Sequence, residues 1–271
     1  MLKNMQANML NIHLMDYLEK KNPHKLDKDI TLNERTHVYN VNGNTKFTSV
    51  TKWVHSHFED FNADKVIDNM MNSSKWEQNK YYGKTREQIK REWKNNGIES
   101  AKQGTKLHYD IECYYNKVKE NKHKKNNSIE YNYFLDFAEN NKHLIPWRTE
   151  MKVYHDELKL AGSIDMIFEK DDGSGSLMIY DWKRCKDISK TSFGDKCSKT
   201  ECIEHIPDSN FWHYTLQLNT YKKILEEKYD KNVSDLALIC LHPNKKSYEV
   251  VKVPILENEI TNLFNLRKDN I

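Results

Sequence analysis

No stretch of this chain approaches the 18 or so consecutive apolar residues that a membrane span requires, so no membrane partner is expected. Charge of one sign is also missing. There are 43 Lys and Arg against 40 Asp and Glu, a net charge of +3. No global basic field marks a nucleic-acid binder, yet an acidic site offsetting local basic patches would give the same total. The charge therefore excludes neither case. Cysteine is sparse and unpaired in pattern. Five residues (113, 185, 197, 202, 240) stand at irregular spacing with no Cys-x-x-Cys, as expected of thiols in a reducing compartment. The opening run MLKNMQANMLNIHLMDYLEKKN lacks the cationic start and apolar block of a secretory signal. It carries Asp16 and Glu19, and no arginine precedes Arg35, which argues against a mitochondrial presequence. The expectation is an intracellular, soluble protein of cytoplasm or nucleus that is not secreted.

Hydrophobic residues make up 37% and charged residues 31% of the 271, with a mean hydropathy of −0.92. That suffices for a sizeable core under a very polar surface. The chain divides into an N-terminal extension, 1–35, and one domain, 36–271. The domain is mainly helical over 36–145, with a sheet and helices over 146–271. Residues 36–48 read as a hairpin around an Asn-Gly turn. Helices are expected at about 50–71, at 85–120 with a possible break near Asn95-Asn96-Gly97, and at 128–141. Strands follow at 148–156, 160–169 and 176–183, the last apolar enough to be buried on both faces. A helix at 209–229, strands at 234–242 and 247–253 and a helix at 256–268 complete the order. The fold class is α/β (α+β), a mixed central sheet flanked by helices with a helical N-terminal portion.

The chemistry concentrates in AGSIDMIFEKDDGSGSLMIYDWKRCK. Alternate residues of a strand share a face. Asp181 and Lys183 therefore project together, and Asp165 can meet them from the neighbouring strand, where Ile164, Met166 and Phe168 alternate against Ser163, Asp165 and Ile167. Such a set can hold a divalent ion beside a cation that stabilises a developing anion; the alternative is an Asp–Lys pair ending a strand. Glu150 opens the first strand, as a third carboxylate or as an exposed strand-entry residue. Gln217 and Tyr221 lie four apart on one helical face with Tyr214 and Leu218; an amide there needs a hydrogen-bonding reason, whereas Tyr221 also suits a plain core. His108 and Glu112 repeat the spacing, one turn after Gly104.

Taken in order, these pieces resemble the PD-(D/E)XK nuclease superfamily, and within it the RecB-like exonuclease group. The matching parts are a helix with His108, Gly162-Ser163-Ile164-Asp165 with one residue more than the usual Gly-x-Asp, Asp181-Trp182-Lys183, and Gln217 to Tyr221. The run Thr48-Ser49-Val50-Thr51 with tryptophan-rich helices is similar to the mitochondrial genome maintenance exonucleases and their viral relatives. The resemblance spans roughly 36–242. It implies a restriction-endonuclease-like fold and a metal-dependent DNA exonuclease. The substrate would be ends of single-stranded DNA in replication, repair or recombination, with replication or repair proteins as partners and a virus-infected cell as one setting. Other readings of the same fold are a structure-specific or RNA-directed endonuclease and an inactive nucleic-acid-binding module.

On this reading Asp165, Asp181 and the Trp182 backbone carbonyl hold Mg²⁺ or Mn²⁺, with His108 completing the set and Glu150 as a further carboxylate. Lys183 stabilises charge on the phosphate, with Gln217 and Tyr221 beside it. Arg184, Lys186, Thr51 and Lys106 are the expected substrate contacts. The long connection 184–209, with its lysines, grips phosphates or lies idle on the surface. Trp53, Trp76, Trp93, Tyr81 and Tyr82 offer stacking surfaces for bases. Some relatives bear an iron–sulfur cluster on four cysteines. None is expected here, and Cys197, Cys202 and His205 make at most a poor zinc set.

Overall fold

A computed structural model describes residues 15–118 and 126–271. Its centre is a six-stranded mixed sheet. A two-stranded ribbon, β1 (Ile30–Asn33) and β2 (Val38–Val41), precedes it, followed by the two-residue β3 (Thr48–Ser49). The long strands are β4 (Ile145–His155), β5 (Leu160–Glu169) and β6 (Leu177–Lys183), then β7 (Val233–Cys240) and β8 (Glu249–Lys252). The order is β3-β5-β6-β7-β8, with β4 antiparallel along the other edge of β5. The apolar β6 lies inside the sheet, antiparallel to β5 and parallel to β7.

Seven helices are described. They are α1 (Tyr17–Lys21), α2 (Val50–His55), α3 (Ala63–Met71), α4 (Arg86–Tyr115), α5 (Ile129–Asn140), α6 (Asn210–Lys228) and α7 (Glu257–Lys268). They cover both faces of the sheet. On one side α2, α6 and α7 bury Trp53, Leu218, Ile224 and Phe264 against Leu177, Ile179 and Leu238. On the other, α4 and α5 bury Leu107, Ile111, Phe134 and Phe137 against Met178, Trp182 and Ile239. Each such side chain contributes about 1.5–3 kcal/mol. This is the mixed α+β architecture expected from the order of elements.

Three local expectations change. The Asn42-Gly43 turn exists, with φ of 50° and 83°, but closes only a single bridge, Val41 to Asn44. The strand partner of β2 lies upstream in β1, where Asn33 accepts from the Arg35 and Thr36 amides to form the connection. The helix expected over 50–71 is two helices. Ser56 turns its hydroxyl onto the Trp53 carbonyl, and Asn62 caps α3 by accepting from the Lys65 amide, so short polar side chains satisfy the backbone ends. The helix expected near 85–120 is unbroken through Gly97 over 30 residues, opened by a Thr85–Gln88 capping box.

Residues 15–35 belong to this body. Leu18 and Ile30 are buried, and Arg148, itself buried, pairs with Asp27 at 2.9 Å. A separate small cluster lies at the far end of α4, where Ile67, Tyr81 and Ile89 pack with Met70, Trp76 and Trp93. Between this cluster and the sheet, residues 94–102 of α4 are exposed on every side. Among the described residues no helix is long and apolar enough to cross a membrane.

Candidate active site

The site forms where β5 and β6 part. Their ladder runs from Glu169–Leu177 to Met166–Tyr180 and stops. Farther along the same edge, β3 takes Leu160 and Ala161. Residues 162–165 are left between the two. There the Trp182 N–H donates to the Asp165 carboxylate at 3.1 Å rather than to a strand carbonyl. Side-chain alternation along β5 also reverses at this point. Leu160 and Ile164 join the α6 side of the core, but Met166 and Phe168 join the α4 side. The simple two-residue alternation read from the sequence therefore holds only beyond Asp165. Across the ladder, between the Thr149–Met166 and Met151–Ile164 pairs, Glu150 has φ of 44°. A left-handed glutamate inside a strand costs on the order of 1–3 kcal/mol, and such strain gathers at functional sites.

Leu107, Ile111 and Tyr115 anchor α4 in the core and turn His108 toward this gap. Its Nδ1 lies 3.5 Å from Asp165 Oδ2 and 3.6 Å from Glu150 Oε1. One ligand atom from each of His108, Glu150 and Asp165 lies within 4.8 Å of the others, and all three side chains reach solvent. Ser163 Oγ donates to Glu150 Oε2 at 2.9 Å and fixes that carboxylate. His108 Nε2 stands 2.9 Å from the Trp182 carbonyl oxygen. That contact orients the ring as second-shell bonds orient metal-binding histidines. It also engages the carbonyl that was expected to face an ion directly.

Asp181 takes a different place from the one expected. It is 2% exposed and stands outside the trio, with Oδ2 2.6 Å from Lys183 Nζ. Lys183 Nζ also sits 4.4 Å over the Tyr214 ring. Asp181 and Lys183 thus project together, as the strand period requires, with Tyr214 as an unforeseen third member. Tyr214 was legible only as a residue one turn before Gln217.

The electrostatics favour added positive charge. Burial works to lower the His108 pKa, yet Asp165 and Glu150 carry it up to about 9. Burial, and then the charge of Asp181, push Asp165 up to about 7. Burial and Glu150 push Glu112, one turn beyond His108, up to about 8. Burial opposes the charge on Lys183, but Asp181 and Asp165 outweigh it and hold the ammonium above its ordinary range. Crowded carboxyls with raised affinity for protons are the setting a divalent cation relieves. Adjacent ligands on an ion with bonds of about 2.1 Å stand roughly 3 Å apart, so the trio needs only a small contraction to hold Mg²⁺ or Mn²⁺. The imidazole in the set favours Mn²⁺.

The remaining expected residues divide. Gln217 Nε2 reaches Tyr221 OH at 3.4 Å, and the Tyr221 ring is buried against Gly162, where an added Cβ would fall 2.5 Å from Cε1. Tyr221 is therefore a wall behind β5, with Gln217 on the more open side. Arg184 turns inward onto Glu130 at 2.7 Å and is not a free phosphate contact. Lys106 pairs with Asp110 at 2.6 Å. Thr51 and Lys186 are exposed. The connection 184–209 is ordered onto the body. Ile203 and Ile206 are buried, and the Ser198 hydroxyl and Lys199 amide each donate to the His57 carbonyl at 2.9 Å. Trp53 and Tyr81 are buried, so the stacking expected of them falls to other rings. Phe61 is 73% and Phe193 90% exposed, and both line a cleft of about 1590 Å³ with Lys65, Lys196 and His213. Glu59, Asp60, Asp64 and Asp208 line it too, and none of His108, Glu150, Asp165, Asp181 or Lys183 does. Cys197, Cys202 and His205 form no metal-binding group among the described residues.

No family model matches the chain, and no curated protein does. Among solved structures it is similar to one described as the crystal structure of SSO0001, with 14% identity and a TM-score of 0.31 over 83% of this chain and 75% of that one, a likeness too slight to define either fold or activity.

Proposed function

We propose that this protein is a metal-dependent nuclease of the PD-(D/E)XK type that hydrolyses phosphodiester bonds in DNA, working from ends of single strands. The observation that carries the reading is the meeting of His108, Glu150 and Asp165 within 4.8 Å, next to the Asp181–Lys183 pair on the adjoining strand. His108, Glu150 and Asp165 would hold Mg²⁺ or Mn²⁺. Such an ion supplies a water of lowered pKa and polarises the scissile phosphate. Lys183 is protonated at neutral pH, because its neighbours hold its pKa up, so it serves as a hydrogen-bond donor to phosphate oxygens and not as a base. Asp181 and the Tyr214 ring fix the ammonium in position. The Trp182 peptide, bonded to Asp165 and His108, keeps the two strands parted by the width of the site. Phe61 and Phe193 stand exposed on a cleft that these site residues do not line, as rings of the kind on which unpaired bases stack.

The test uses purified protein with end-labelled linear and circular single strands, in Mg²⁺, Mn²⁺ or EDTA. Linear strands should be degraded in either metal and spared in EDTA. Cutting of circles would make the protein an endonuclease. Intact DNA and RNA in every condition would leave a binding module. Lys183→Ala should lower cleavage by at least about 100-fold, the loss seen when one transition-state donor is removed, while Mn²⁺ binding by calorimetry persists.

A further inference from the structure

Two cysteines outside the proposed chemistry face each other across the strand ends next to the site. Cys240 is the last residue of β7 and pairs in register with Lys183 at the end of β6; Cys185 follows two residues later. Their sulfurs are 3.2 Å apart, and Cys240 also points at the Cys185 carbonyl oxygen at 3.7 Å. A disulfide needs about 2.05 Å between sulfurs, so closure asks for a movement of about 1 Å. The partners differ in access: Cys240 is fully buried, whereas Cys185 is partly exposed.

We propose that Cys185 and Cys240 form a dithiol modification site, which low-molecular-weight disulfides convert to an intramolecular disulfide through Cys185. The Cys185 thiolate attacks the reagent disulfide, forming a mixed disulfide and releasing one thiolate, which takes up the Cys185 proton. The Cys240 thiolate then attacks the Cys185 sulfur, and the second reagent thiolate leaves with the Cys240 proton. Two protein thiols are oxidised and one reagent disulfide is reduced to two thiols. The environment assigns the roles. The contact with Cys240, to which the Lys183 charge adds, holds the Cys185 thiol below its ordinary range although burial opposes it. The same contact, together with burial, holds the Cys240 thiol up, so Cys185 and not Cys240 makes the first attack. The crosslink joins positions 55 apart in sequence and ties together the exits of the two central strands. The proposal stands whether or not the protein cleaves DNA.

The experiment treats the reduced full-length protein with oxidised glutathione, blocks residual thiols with N-ethylmaleimide and maps tryptic peptides by mass spectrometry without reduction. The Cys185 peptide should appear linked to the Cys240 peptide, while buried Cys113 stays alkylatable only after unfolding. In Cys240→Ser, glutathione should stay on Cys185 as a stable adduct. Glutathione accumulating only on exposed Cys197, with Cys185 and Cys240 both recovered as free thiols in the wild-type protein, would overturn the proposal. So would linkage of either residue to Cys197 or Cys202 in place of its neighbour.

Discussion

Gly162 is the residue whose smallness the site depends on most directly. A methyl group there would lie 2.5 Å from Tyr221 Cε1 and 2.7 Å from its hydroxyl oxygen, and Tyr221 is 3% exposed and has nowhere to retreat. Gly162→Ala should therefore cost about 1–3 kcal/mol, the usual range for overpacking, read as a lower urea midpoint. Tyr221→Leu in the same chain should recover part of that loss. Additive losses would mean that the two residues do not press on one another. The same contact links the Gly162-Ser163-Ile164-Asp165 run to the Gln217–Tyr221 helix. Their spacing in the chain says nothing of the packing, but Gly162 and Tyr221 make up a single fit between strand and helix.

At the scale of elements, α4 offers the cleanest measurement. Gly97 lies mid-helix, exposed, with open space around its Cβ position. Gly97→Ala should stabilise the protein by up to about 1 kcal/mol, the helix-propensity difference, seen as a raised thermal midpoint. No gain would show that the bare stretch is already frayed in the folded state. Most elements could be read from the chain: α5 opens on a Ser128 cap, and β6 is a continuous apolar run that suits an inner strand. The failures have physical causes. Ser56 and Asn62 offer the backbone local partners inside an otherwise helical pattern, and Gly97 is carried through because the helix is clamped at both ends. The site was legible to the same degree. Asp165 and Lys183 stand out as charges in apolar strand runs, and His108 by its helical spacing to Glu112. The Asp181–Lys183 pair follows from strand parity, whereas the left-handed Glu150 and the inward turn of Arg184 onto Glu130 are three-dimensional features that no spacing encodes.

For the whole molecule, acid sensitivity should trace in part to one histidine. His57 joins the end of α2 to the long connection through its carbonyl and through Nδ1, 2.9 Å from Thr200 Oγ1. Burial, helped by Arg267 and Lys199, lowers its pKa from 6.5 to about 4. The unfolded chain thus binds the proton more readily than the folded one. Stability from this residue is complete above about pH 6.5 and is lost as pH falls toward 4, by roughly 3 kcal/mol. Urea unfolding at pH 7 and pH 4.5 should show a smaller drop for His57→Gln than for the wild type. Equal drops would assign the acid sensitivity to other groups.

The bare middle of α4 has a consequence for how the molecule holds together. Its nine residues from 94 to 102 span about 14 Å of helix with no packing of their own. A stretch that short does not stay helical alone in water. Its order is on loan from the Trp93 cluster at one end and from the buried Leu107–Tyr115 turns at the other. If either lender defaults, the bridge melts, and His108 loses the backbone that aims it. The two cores thus support a single helix from its two ends, and the aim of the His108 imidazole is as secure as the weaker of them.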